Sequence, residues 1–277
     1  MADLKSLLRS LELEPTGDAG SYRAPNAQGP GGVVFGGQLL AQSIVAALRD
    51  HPDKSVKTIH TIFARGGAPE TDVDIDVDVM HTGRAFGSST VTIRQGDRLC
   101  TRSLVLVTAD EDDLMRHADD MPAVGPPEEA PATGGMGEWE VRVVDGIDIT
   151  DRDAVGPPEL DVWTRFAGAP DDAGVAQALV AYTTDPFLIG TAMRPHAGIG
   201  QAQAHVTLST GVVSHTLTFH EPVDAGEWLL LSHHSPYAGR GRSYGRANIF
   251  QRGALVASFV QDNMIRRIPE GRTSSSL

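Results

Sequence analysis

HTIFARGG, residues 60–67, returns as HTLTFHEP at residues 215–222. GRAFGSSTV at 83–91 returns as GRSYGRANI at 241–249, and LCTRSLV at 99–105 as LVASFVQ at 255–261. The offsets are 155, 158 and 156 residues, nearly constant, with small differences that fit changes in turn length. A chain that repeats itself in this way is a tandem duplication. Each copy places a helical pattern before a meander of strand patterns, so the expected fold class is α+β, with a helix lying on an antiparallel sheet in each repeat.

Working outward, residues 33–50 (VVFGGQLLAQSIVAALRD) set Leu39, Leu40, Ile44, Ala47 and Leu48 among polar residues and predict a helix entered through Gly36 and Gly37. In TDVDIDVDVMH, residues 71–81, Val73, Ile75, Val77 and Val79 alternate with aspartates in period two, which predicts a half-buried strand with a solvated acidic face. Residues 88–94 and 98–108 predict a hairpin turning at Gly96 and Asp97. Residues 110–137 are acidic, Pro-rich and Gly-rich without periodicity, as a linker would be. The expected organisation is a first repeat at 1–109, a linker at 110–137 and a second repeat at 138–277, in which 140–144 and 159–166 resume strand patterns.

The stretch AYTTDPFLIGTAMRPH, residues 181–196, opens the chemistry of the second repeat. Asp followed by Pro and an apolar run predicts a short helix with Asp185 as its N-cap and Pro186 as its first residue. Capping and catalysis are about equally good accounts of Asp185 from this stretch alone. The second polar residue of interest is Gln261, placed by alternation on the same strand face as Ala257 and Phe259, where an amide must find partners.

Composition bounds what surrounds these residues. With 277 residues, either half is long enough to bury a core. Lys plus Arg number 23 against 36 acids, a net charge of −13, so neither a nucleic-acid backbone nor an anionic membrane surface is an expected partner. One cysteine, Cys100, excludes an intrachain disulfide framework and fits a reducing compartment. Leu4, Leu7, Leu8 and Leu11 have helical spacing rather than the continuous run of a signal peptide, no apolar run reaches transmembrane length, and the terminal SSSL is not a peroxisomal SKL address. A cytoplasmic location is expected.

Several motifs fail on inspection. GRSYG at 241–245 matches the spacing of a serine-hydrolase elbow, but no histidine follows Ser243. The aspartates of 71–81 lack the glycine and glutamate of a calcium loop. His233 and His234 are adjacent without HExxH or Cys/His spacing, and His60 and His215 look like strand residues. No metal site is implied. The glycines at 31, 32, 36 and 37 spell no phosphate-binding loop, although they let a ligand approach the backbone.

LKSLLRSLELEP near the start, VFGGQLLAQ, YTTD with RPH, FHEPVDAGEWLLLS and GALVASFVQDNMIRR occur in one order along nearly the whole chain, and in them the sequence resembles the TesB-like acyl-CoA thioesterase II family. The resemblance implies a tandem double hotdog, each repeat a helix wrapped by an antiparallel sheet. It also implies hydrolysis of fatty acyl-CoA by a directly activated water, without a cofactor, in what is expected to be a homo-oligomer. The family holds that water with an aspartate, a hydroxyl residue and a glutamine. The first maps onto Asp185 and the last onto Gln261, while Val212 stands where the family has threonine. Thr210 and Ser214 flank it, and Ser214 is the expected substitute. Gly37 and Gln38, with Gly36, are expected to line the cleft or admit pantetheine. Physically, a thioester's thiol leaves readily as thiolate, with a pKa near ~8.5, so positioning a water and stabilising an oxyanion are the main tasks. The alternatives are a hotdog hydratase, whose D-x-N-P-L-H pattern would put histidine at Gly190, a non-hydrolytic acyl-CoA-binding protein, and a serine hydrolase acting through Ser243.

Overall fold

The structure, a computed structural model, describes residues 2–27 and 32–269. Gly31 and the terminal SSSL lie outside the described residues. In chain order the elements are α1 (Leu4–Ser10), β1 (Glu14–Pro15), β2 (Ser21–Ala24), α2 (Gly36–Leu48), β3 (Ser55–Phe63), β4 (Val73–Thr82), β5 (Phe86–Gln95) and β6 (Arg98–Thr108). Then follow β7 (Ala132–Met136), β8 (Trp139–Val143), β9 (Glu159–Phe166), α3 (Ala173–Thr183), α4 (Leu188–Met193), β10 (Leu208–Phe219), β11 (Leu229–Gly239), β12 (Arg242–Gln251) and β13 (Ala254–Arg267).

Among the described residues thirteen strands join one antiparallel sheet in the order β1-β2-β4-β5-β6-β3-β10-β13-β12-β11-β9-β8-β7. Its middle is the pair β3 and β10, where Thr216 faces His60 and Leu217 faces Ile59. Read outward from that seam, β3-β6-β5-β4 on one side answers β10-β13-β12-β11 on the other. The hairpin of β5 and β6 turns at Gly96, whose φ of +57° suits glycine. Side chains sew the seam on the outer face, with His60 Nδ1 2.7 Å from Thr216 Oγ1 and Lys57 Nζ donating to the Phe219 carbonyl at 2.6 Å.

Helices α2 and α3 pack against each other on the inner face of the sheet. Leu40, Ile44, Leu179 and Val180 are fully buried there. From α3, Gln177 reaches into the first half and brackets Val56, accepting from its amide at 2.9 Å and donating to its carbonyl at 2.8 Å. Helix α3 was not foreseen. Its residues 176–183 are buried on every side, so the apolar-polar period that betrays a surface helix is missing. Only Asp172, accepting from the Val175 amide as N-cap, marks its start.

One further expectation is corrected. Asp185 does not cap the helix that follows it: α4 begins at Leu188 after an N-cap at Phe187 with no side-chain cap. Asp185 occupies the break between α3 and α4, because the ring of Pro186 disfavours helical backbone in the residue before it. The expected linker ends in strand β7, whose Ala132, Gly134 and Gly135 carry no alternation to read, and its Met121, Val124 and Ala130 pack with Trp163, Leu230 and Phe250.

Candidate active site

Asp185 is only 7% exposed, although it sits between two helices rather than inside one. It reaches the start of α2 because that helix begins with two glycines. A Cβ on Gly36 would lie 2.8 Å from Asp185 Oδ1, and one on Gly37 would lie 2.5 Å from the Tyr182 carbonyl oxygen. Any side chain there would force α2 and the end of α3 apart. The carboxylate therefore belongs to the second half of the sequence but meets a helix N-terminus from the first. Burial pushes its pKa up to about 7, against the opposing influence of the Gly37 amide directed at it. Desolvation thus outweighs the single amide that favours the ionised form.

Gln261 comes to the same place from β13. Its side chain is fully buried, with Nε2 donating to the carbonyl oxygens of Thr184 at 2.9 Å and Asp185 at 3.3 Å. The same nitrogen lies 3.0 Å from His215 Nδ1. His215 stands directly across the strand pair from Gln261, and its Nε2 is 3.0 Å from Thr184 Oγ1. Thr184 donates its own proton to the Ala181 carbonyl at 2.7 Å, so it accepts from Nε2 and the ring carries its proton there. Burial drives the His215 pKa down to about 3, which keeps the ring neutral and Nδ1 an acceptor for the glutamine amide. Gln261 is thereby oriented by three acceptors, which turns its Oε1 the other way. Neither Gln261 Oε1 nor Asp185 Oδ1 has a hydrogen-bond partner among the described residues, although both are buried.

The remaining candidates fall elsewhere. Ser214 was expected on the face of Val212, but a bulge between Val212 and Ser214 leaves Val213 unpaired and reverses the alternation. Ser214 consequently points outward and donates to Asp262 at 3.1 Å, while Thr210, on the near side of the bulge, stays buried on the inner face. Gln38 braces the loop before α2, accepting from the Ala27 amide at 2.9 Å and donating to Asn26 Oδ1 at 2.8 Å. Gly37 contributes the close approach already described. Thr184 and His215 were missed as site residues. Thr184 adjoins the aspartate in YTTD, and His215 lies on the strand face that the bulge brings inward.

Helix N-terminus, buried carboxylate and oriented amide form a setting for water-mediated chemistry on a neutral electrophile. Residues 117–265 match the model of the acyl-CoA thioesterase C-terminal domain, and residues 24–108 that of the N-terminal domain. The chain belongs to the acyl-CoA thioesterase family. It is 27% identical to acyl-coenzyme A thioesterase 8 of Mus musculus, covering 97% of this chain and 92% of that protein. It is 28% identical to acyl-CoA thioesterase 2 of Haemophilus influenzae, over 95% and 98% of the two chains. A solved structure of a tesB protein from Mycobacterium avium subs paratuberculosis superposes with a TM-score of 0.81 at 25% identity, covering 95% of this chain and 99% of that one.

Proposed function

We propose that this thioesterase hydrolyses acyl-CoA to free acid and CoA, with Asp185 and Gln261 holding the attacking water. One observation carries the assignment: two buried acceptor oxygens, Asp185 Oδ1 and Gln261 Oε1, stand unpartnered on side chains that meet at Thr184 and Asp185. A water satisfies both by donating one proton to each, which leaves its lone pairs free for the thioester carbon. As the new C–O bond forms, the proton shared with Asp185 passes to the carboxylate and the carbonyl electrons move onto oxygen. Collapse of that intermediate breaks the C–S bond and releases CoA as thiolate, which needs no strong acid. A carboxyl with a pKa of about 7 is a stronger base than an exposed aspartate, and about half of it is ionised at neutral pH.

The fold is read, within the same proposal, as a tandem double hotdog with repeats at 1–109 and 138–277 around a linker at 110–137. The mirrored strand order about β3 and β10 supports two repeats, as does the division of the family matches into 24–108 and 117–265. A homo-oligomer in the cytoplasm belongs to this reading too. Ile62, Leu104 and Leu106, 47%, 51% and 37% exposed, support association by leaving an apolar patch on the outer sheet face.

The pH profile tests the assignment. Only the ionised carboxylate accepts the water's proton, so kcat/KM measured by thiol release should rise through a pH of about 7 and level above it. A profile flat from about pH 5.5 to 8 would remove Asp185 from the role of base.

A further inference from the structure

The proposed chemistry leaves one need unmet, a donor for the thioester oxygen as it becomes negative. At the start of α2 the Gly37 amide is directed at Asp185 and the Gln38 amide donates to the Phe35 carbonyl at 3.1 Å, so neither supplies it. Two residues beyond Gln261 on β13, and on the same inner face, lies Asn263, which is fully buried. It faces Val212 on β10 and Ser243 on β12 in direct register. Val212 offers it no hydrogen bond. Its Nδ2 is 3.4 Å from Ser243 Oγ, and its Oδ1 has no partner among the described residues.

A carboxamide's oxygen and nitrogen occupy nearly the same shape, and the hydrogen-bond network decides which is which. With the amide turned over, Oδ1 accepts the Ser243 hydroxyl proton, and Nδ2 presents its N–H bonds where the unpartnered atom stands. We propose that Asn263 donates from Nδ2 to the thioester carbonyl oxygen and is a further catalytic residue of this site. Residues two apart on a strand stand about 7 Å from one another, a separation that suits a water against Gln261 and the carbonyl oxygen against Asn263. Thr210, the other buried polar residue of the β10 inner face, lies one row further away opposite Ile265. The inference rests on the reading of Asp185 and Gln261 as the water's holders.

The test compares two variants of one shape, Asn263→Thr and Asn263→Val, in the full chain, with thiol release from an acyl-CoA as the readout. Threonine keeps a donor and valine does not. Asn263→Thr is expected to retain a kcat at least tenfold above that of Asn263→Val, with KM values within about threefold of each other, because the donor acts on charge that develops in the transition state. Equal kcat values overturn the proposal. Should neither variant fold, Ser243→Ala decides: it removes only the anchor of the amide, and a loss of about threefold in kcat supports the role while an unchanged kcat overturns it. Asp185→Asn run in parallel separates the two readings, since normal turnover there defeats the water assignment whatever Asn263 does.

Discussion

Asp185→Asn is expected to lower acyl-CoA turnover at least tenfold and leave the fold intact. The amide oxygen of asparagine still accepts from the Gly37 amide, so the close contact between α2 and the end of α3 persists. What disappears is the capacity to take a proton from water, and the orphaned position at Oδ1 can become a donor that turns the water's lone pair the wrong way. Thermal unfolding supplies a second readout. The folded pKa of about 7 exceeds the ordinary 3.8, so the folded chain holds this proton through an interval in which the unfolded chain has lost it. Stability drawn from Asp185 is therefore present below the lower value and lost as pH rises through the upper one. Asparagine does not titrate, so the variant's gain in Tm over the parent should be larger at about pH 8 than at about pH 4. Normal turnover in the variant, measured by thiol release, would reject the carboxylate as the reactive group.

Gln261→Met should be nearly as damaging to activity and should also weaken the fold. Methionine matches the volume but removes the amide that ties Thr184, Asp185 and His215 together. His215 Nδ1 is then a buried acceptor without a donor, a loss of roughly 1–3 kcal/mol. The water also loses one of its two anchors. Turnover is expected to fall at least tenfold and the urea midpoint to shift downward with an unchanged slope. A variant that unfolds at the same urea concentration as the parent would show that the amide's bonds carry no net stability.

Strand alternation in both halves foreshadowed the mirrored strand order, but the register places Ile59 rather than His60 where the other half has His215, so the matched HT pairs lie on opposite faces. Helix α2 was plain because polar residues interrupt its apolar ones. Helix α3 was not, because burial on all sides removes the periodicity that a linear reading needs. Among site residues, Asp185 and Gln261 drew notice as polar groups among apolar neighbours, and resemblance to a family gave them a role. The face of Ser214 was misjudged for a definite physical reason. Parity arguments hold only while a strand is regular, and one extra residue at Val213 inverts them. The partnership of Thr184 with His215 spans 31 residues and depends on how a helix end meets a strand, which no local pattern encodes.

The pair of glycines at the mouth of α2 has a bearing on how the two copies have diverged. Position 105 in the earlier copy answers position 261 in the later one, and holds valine where the other holds glutamine. Within the proposed reading the first half lacks this amide, and each polypeptide is expected to process a single substrate molecule at a time. Yet the first half is not free to drift, because Gly36 and Gly37 belong to it and admit the carboxylate contributed by the second. On that reading one half serves as reagent and the other as mould.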